Sequence, residues 1–170
     1  MSFGYSTVGW GEFFLCAGGA TAALSGLIFV AVSINIEKVL EIDQREGQNF
    51  LTGRALEALV DLLLVLGVSV VALTPGIEHG VLAVVILLAA AASAVSPIRA
   101  LSASRGQSPL GTATLVRVET AIALTITLVI AGVTLAAHHG GGLYWIPAAF
   151  ILAILVAAVN AWVLLVDVVR

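Results

Sequence analysis

Long apolar runs alternate with short polar breaks along this chain. The runs are Phe13 to Ile36, Ala55 to Thr74, Ile77 to Ile98, Thr114 to Ala137 and Leu143 to Val166. Each is close to or above the ~20 helical residues needed to cross a ~30 Å hydrocarbon layer. Backbone at membrane depth must satisfy its own hydrogen bonds, so each run is expected to be a helix. The pattern therefore predicts an all-α membrane protein, one domain over residues 1–170, with five transmembrane helices in a bundle. The second run is the least regular, because Glu57 and Asp61 interrupt it and only Leu62 to Thr74 is continuous. Without it, Arg99, Arg105 and Arg117 would lie across the membrane from Lys38, Arg45 and Arg54.

The breaks predict how the helices connect. Thr74-Pro75-Gly76 and His138-His139-Gly140-Gly141-Gly142 read as tight hairpins, since Pro and Gly end helices and permit turns. Asp43 with Glu46 three positions on resembles a capping box, which predicts a short surface helix over Gln44 to Thr52. Leu101 to Gly111, rich in Ser, Gly and Pro, reads as a flexible loop in which Ser108-Pro109 caps the fourth helix. No internal repeat is visible, which argues against an inverted-repeat transporter.

Charge then orients the bundle. All seven Lys and Arg residues fall on one side of the threaded chain, and the breaks around Glu78-His79 and His138 to Gly142 carry none. Short basic loops stay cytoplasmic, so the N-terminus is expected outside and the C-terminus inside. Tyr5, Trp10, Tyr144 and Trp145 fall at the expected outer interface and Trp162 near the inner one, as an anchoring belt would. The chain is 61% hydrophobic and 10% charged, with a mean hydropathy of +1.15, whereas soluble domains are about one quarter charged. A net charge of −3 argues against nucleic acid, and acidic residues leave no polybasic cluster for anionic lipid. The single Cys16 excludes an intramolecular disulfide. It also lacks the upstream leucine spacing of a lipoprotein anchor, and no basic residue precedes the first run as in a cleaved signal peptide.

Three groups of residues are candidates for function. Gly18, Ala22 and Gly26, at four-residue spacing in the first span, form a small-residue seam for close helix packing, either between subunits or within one chain. Arg54, Glu57 and Asp61 share one helix face, at about 100° per residue. With Asn35, Arg117, Glu119 and Asn160 they are expected to form an inner-leaflet polar cluster, either a cation or proton site or a structural lock. Arg117 and Glu119 diverge by about 200°, so one neighbouring helix cannot meet both. Thr120, Thr127 and Thr134 repeat every seven residues along the fourth span, as a pore lining or as a packing stripe. His79, His138 and His139 read as solvated loop residues, and no metal motif, phosphate loop, nucleophile elbow or cofactor pattern is present.

The stretch Ala17-Gly18-Gly19-Ala20-Thr21-Ala22-Ala23-Leu24-Ser25-Gly26-Leu27-Ile28-Phe29-Val30-Ala31-Val32-Ser33-Ile34-Asn35 resembles the opening span of small actinobacterial integral membrane proteins. The segment Gly53-Arg54-Ala55-Leu56-Glu57-Ala58-Leu59 is similar to the second span of that group. The resemblance covers the first two spans only. It implies a bacterial plasma membrane and a group-wide polar feature at Ser33, Asn35, Arg54 and Glu57, and it carries no activity.

The sequence thus points to a non-enzymatic plasma-membrane protein without cofactor or metal. It is expected to self-associate or to serve as accessory subunit of a membrane complex. The alternative is a homo-oligomeric ion channel or small-ion transporter that uses the polar cluster and the threonine stripe.

Overall fold

Asn35 decides where the first apolar run ends. Its backbone leaves the helical region (φ −109°, ψ 17°) and its amide nitrogen donates to the Ala31 carbonyl at 2.9 Å, which stops α1 (Gly11–Ile34). The computed structural model describes residues 7, 9–46, 50–98 and 112–169, excepting the side chains of 42, 45, 46, 50, 112–117 and 163–169. After α1 come α2 (Ile36–Glu46), α3 (Phe50–Ala72), α4 (His79–Ser93), α5 (Thr112–Ala137) and α6 (Ile146–Val169). A 3₁₀ turn (Gly142–Trp145) precedes α6, and a further helical turn at 95–98 extends α4.

Among the described residues, five helices are long and apolar enough to cross a membrane: Gly11–Ile34, Leu51–Ala72, His79–Ile98, Val118–Ala137 and Gly142–Trp162. These are the five expected spans, with several ends shifted by a few residues and the start of the second moved most. The second begins near Phe50 rather than Ala55, because a side chain from α2 caps it. Asp43, buried, accepts the amides of Leu51 at 2.8 Å and Thr52 at 3.2 Å, and also the Thr52 hydroxyl. A carboxylate there satisfies orphan N–H groups and complements the positive end of the helix dipole. Of the expected surface helix over Gln44 to Thr52, residues 47–49 lie outside the described residues, while 44–46 end the preceding helix and 50–52 begin the second span. The helix runs Ile36–Glu46, and Asp43 caps the following helix rather than its own.

The hairpins form as composition predicts. Ile77 donates to the Thr74 carbonyl at 3.2 Å around Gly76, whose φ of 73° suits glycine. At the other hairpin His138 takes the left-handed region (φ 53°), and the His139 amide reaches back to Thr134 at 3.2 Å, a helix-ending pattern. Ser108-Pro109 and the Leu101 to Gly111 loop lie outside the described residues, as do Tyr5 and the side chains of Arg45, Arg99, Arg105 and Arg170.

Packing makes a four-helix unit with a fifth helix laid against it. Within that unit α4 packs mainly on α5 and α3 more on α6 than on α4, and the α3–α4 and α5–α6 contacts close the ring. α1 leans almost wholly on α3. Its buried face is Phe14, Gly18, Thr21 and Ile28, and the buried row of α3 runs Leu51, Ala55, Ala58, Leu62, Val65, Ser69 and Ala72, with Leu51 and Ala55 clustered on Val39 of α2, Ala58 and Leu62 on Ile28, and Ser69 beside Gly18. Steps of three and four residues give a repeat near 3.5, the spacing that keeps one seam aligned between two long helices. The main core joins Phe14, Val65, Val68, Leu82, Ile86, Leu124, Leu128, Leu143, Ile146 and Phe150. Trp10 meets Tyr144 edge-on at 5.4 Å, and Phe13 stacks on Phe150 at 5.7 Å, at the end of the bundle opposite α2. Trp162, expected near the other interface, is exposed.

Candidate functional site

Helix α3 carries the polar face that the sequence singles out. Arg54, Glu57 and Asp61 follow one another at helical turns, all half-buried. Because α3 starts at Phe50, Asp61 falls midway along it, about 16 Å of helix axis from either end. The acid therefore sits at the centre of the span, deeper than the inner-leaflet position read from the sequence.

Two hydrogen bonds cross between helices beside this face. The Ser96 hydroxyl donates to Glu57 Oε1 at 2.8 Å, joining the end of the third span to α3. The hydroxyls of Ser93 and Thr125 lie 3.0 Å apart and join α4 to α5. Both serine hydroxyls lie on the Ala-rich stretch that ends the third span. Ser93, Ser96 and Thr125 are not among the residues that motif or spacing marks in the sequence. Their signal was only that each falls on the inward face of its helix.

Asp61 takes no part in these bonds. It lines a cavity of about 10 Å³ whose other walls are Leu64, Val65, Val68, Ala89, Leu124, Leu128, Phe150 and Ala153. Four helices, α3 to α6, contribute to it. Asn160 of α6 is 2% exposed, and its Nδ2 has no hydrogen-bond partner among the described residues.

The remaining candidates do not converge on this point. Asn35 spends its amide on its own helix. Glu119 is exposed, and the side chain of Arg117 lies outside the described residues. Thr120, Thr127 and Thr134 flank the buried row of α5, which is Val118, Ala121, Leu124, Leu128, Ala131 and Leu135. Thr127 and Thr134 donate to the carbonyls of Ala123 and Ile130, one turn back, at 2.7 and 2.6 Å. The small-residue row of α1 divides as well. A Cβ at Gly18 would lie 3.2 Å from Ser69 Cβ, whereas Ala22 and Gly26 are exposed and Gly26 has no neighbour within 4 Å. Packing within the chain thus uses Gly18 alone of the three, because a four-residue step drifts about 40° per turn off a straight seam.

At the opposite end the rings of His79 and His138 approach to 5.7 Å, both exposed. Among the described residues no group of three or more His, Cys, Asp or Glu is placed to hold a metal ion.

This is the architecture of a multi-pass membrane protein, with a bilayer as its natural surroundings. Comparison with protein-family models, curated proteins and solved structures finds no match to the chain.

Proposed function

We propose that this is a non-enzymatic protein of a bacterial plasma membrane that acts by association, as a homo-oligomer or as accessory subunit of a membrane complex. The observation that carries the reading is the position of α1. Only 17% of its spanning window is buried, against 33–39% for the other four spans. Ala22 and Gly26 face outward on this thinly covered helix. Between membrane helices there is no hydrophobic drive, so association depends on close backbone approach at small residues. The Glu57–Ser96 and Ser93–Thr125 bonds then act as the polar lock of a four-helix unit that holds α1 in place.

A conducting path is the weaker reading. The hydroxyls of Thr127 and Thr134 are spent on their own helix, and the cavity at Asp61 has room for about one water. Orientation rests on charge: Lys38 and Arg54 lie at the α2 end, opposite Trp10 and Tyr144, which favours a cytoplasmic α2 end and C-terminus. The likeness of the first two spans to actinobacterial membrane proteins supports the same compartment.

Native mass spectrometry of the protein in mild detergent tests the association. A multimer or a co-purifying membrane partner is expected, lost on Gly26→Leu with helicity unchanged, while Gly18→Leu disrupts the α1–α3 contact itself. A strictly monomeric species with no partner would overturn the proposal. A reporter fused after residue 139 is expected on the extracytoplasmic side.

A further inference from the structure

His79 and His138 stand 59 positions apart in the chain, yet their rings meet at 5.7 Å across the two hairpins at the end of the bundle opposite α2. Both side chains stand on held backbone. His79 opens α4, whose first turn is closed by the Leu82 amide on the Glu78 carbonyl at 3.1 Å. His138 follows the end of α5 in the left-handed region (φ 53°), a position where glycine is the usual residue because it carries no Cβ. Three glycines follow, Gly140 to Gly142, all at positive φ, and the Trp145 indole fastens them by donating to the Gly140 carbonyl at 2.9 Å. A side chain at His138 is thus kept against a backbone cost, and the turn brings its ring against the start of α4.

We propose that His79 and His138 form a two-histidine site for a divalent transition cation of the copper, nickel and zinc class. Imidazole nitrogen suits these borderline ions, whereas magnesium and calcium take oxygen. With each nitrogen about 2.0–2.1 Å from one ion, two imidazole centroids lie about 4.5–6.4 Å apart, for ligand angles from about 90° to 180°. The observed 5.7 Å falls inside that range, so an ion fits without a shift of either helix. Charge favours a cation as well. Residues 73–81 and 137–145 hold no Lys or Arg, and their one acid is Glu78, next to His79. Both rings are exposed, so a hydrated ion reaches them and keeps water at its remaining positions. His139, next in the chain, has its Nδ1 2.8 Å from the Ala137 carbonyl, and among the described residues no third His, Cys, Asp or Glu joins the pair. A structural zinc site closes with four protein ligands; two leave an open site from which the ion exchanges. Its effect on the fold is a clip between the start of α4 and the end of α5, the most extensively packed pair of the four-helix unit. This goes beyond the association reading and does not depend on it.

Copper(II) bound to the untagged full-length protein in mild detergent tests the site. One equivalent of Cu²⁺ is added at neutral pH, and electron spin echo envelope modulation counts the imidazoles on the ion through their remote nitrogens. Two are expected in the parent protein. One is expected in His79→Ala, and one in His138→Gly, which keeps the left-handed backbone. His139→Ala is expected to retain both. Zn²⁺ should compete for the site, and an excess of Mg²⁺ should not. The thermal midpoint is expected to rise with Zn²⁺ in the parent and by less in either single variant, since an ion held only by the folded state stabilises it. Two imidazoles that survive His79→Ala, or a loss on His139→Ala, would overturn the pairing. A parent protein with one imidazole or none on the ion would overturn the site without recourse to any variant, and no rise with Zn²⁺ in the parent would overturn the clip.

Discussion

Ser96 and Glu57, 39 positions apart in the chain, meet through a 2.8 Å hydrogen bond that ties the end of the third span to α3. Hydrogen bonds between membrane helices contribute modestly, because the separated helices find other partners. Ser96→Ala is therefore expected to cost about 0.5–1.5 kcal/mol. Glu57→Gln keeps an acceptor oxygen and should cost less than Ser96→Ala. Unfolding in mixed detergent micelles, run as a double-mutant cycle, measures both; equal effects would show that charge rather than the hydrogen bond matters.

Asp43 joins α2 to the start of α3 by accepting two backbone amides and a hydroxyl. Asp43→Ala removes an N-terminal cap and is expected to destabilise by about 0.5–2 kcal/mol. Amide exchange should rise first at Leu51 and Thr52, before the rest of α3. Uniform exchange along the helix would contradict the capping role.

Gly132 marks a close approach of α5 to α4. A Cβ there would lie 2.7 Å from Leu87 Cγ and 3.3 Å from the Ala83 carbonyl. Gly132→Ala should overpack the contact and cost about 1–3 kcal/mol, despite the better helix propensity of alanine. A thermal midpoint in detergent equal to or above that of the parent would show that the helices can move apart freely.

Asn160 is fully buried with an amide nitrogen that has no partner among the described residues. An unsatisfied buried donor carries a desolvation penalty that an apolar side chain of similar size avoids. Asn160→Leu is expected to leave stability unchanged or to raise it by about 1 kcal/mol. A marked loss would reveal a hydrogen-bonded role for this side chain.

The sequence alone determined the number of spans, their limits to within a few residues, and the two glycine-rich hairpins. These follow from local chemistry: twenty apolar residues cross the bilayer as a helix whatever their neighbours, and Gly76 or Gly140 permits a turn by its own backbone freedom. The shared face of Arg54, Glu57 and Asp61 was likewise legible, being a matter of helical angle. Which faces meet was not. Ala22 and Gly26 resemble Gly18 in type and spacing, yet only Gly18 touches α3, because the seam follows a 3.5-residue repeat that both helices must share. Thr125, off the seven-residue threonine row, lies within hydrogen-bond distance of Ser93 as well as of its own turn at Ala121, while Thr127 and Thr134 bond their own turns. In a chain so uniformly apolar the inward and lipid-facing sides differ little in polarity. Shape complementarity between helices, a tertiary property, therefore decides where each polar group ends, including the placement of Asp61 at a cavity inside the bundle.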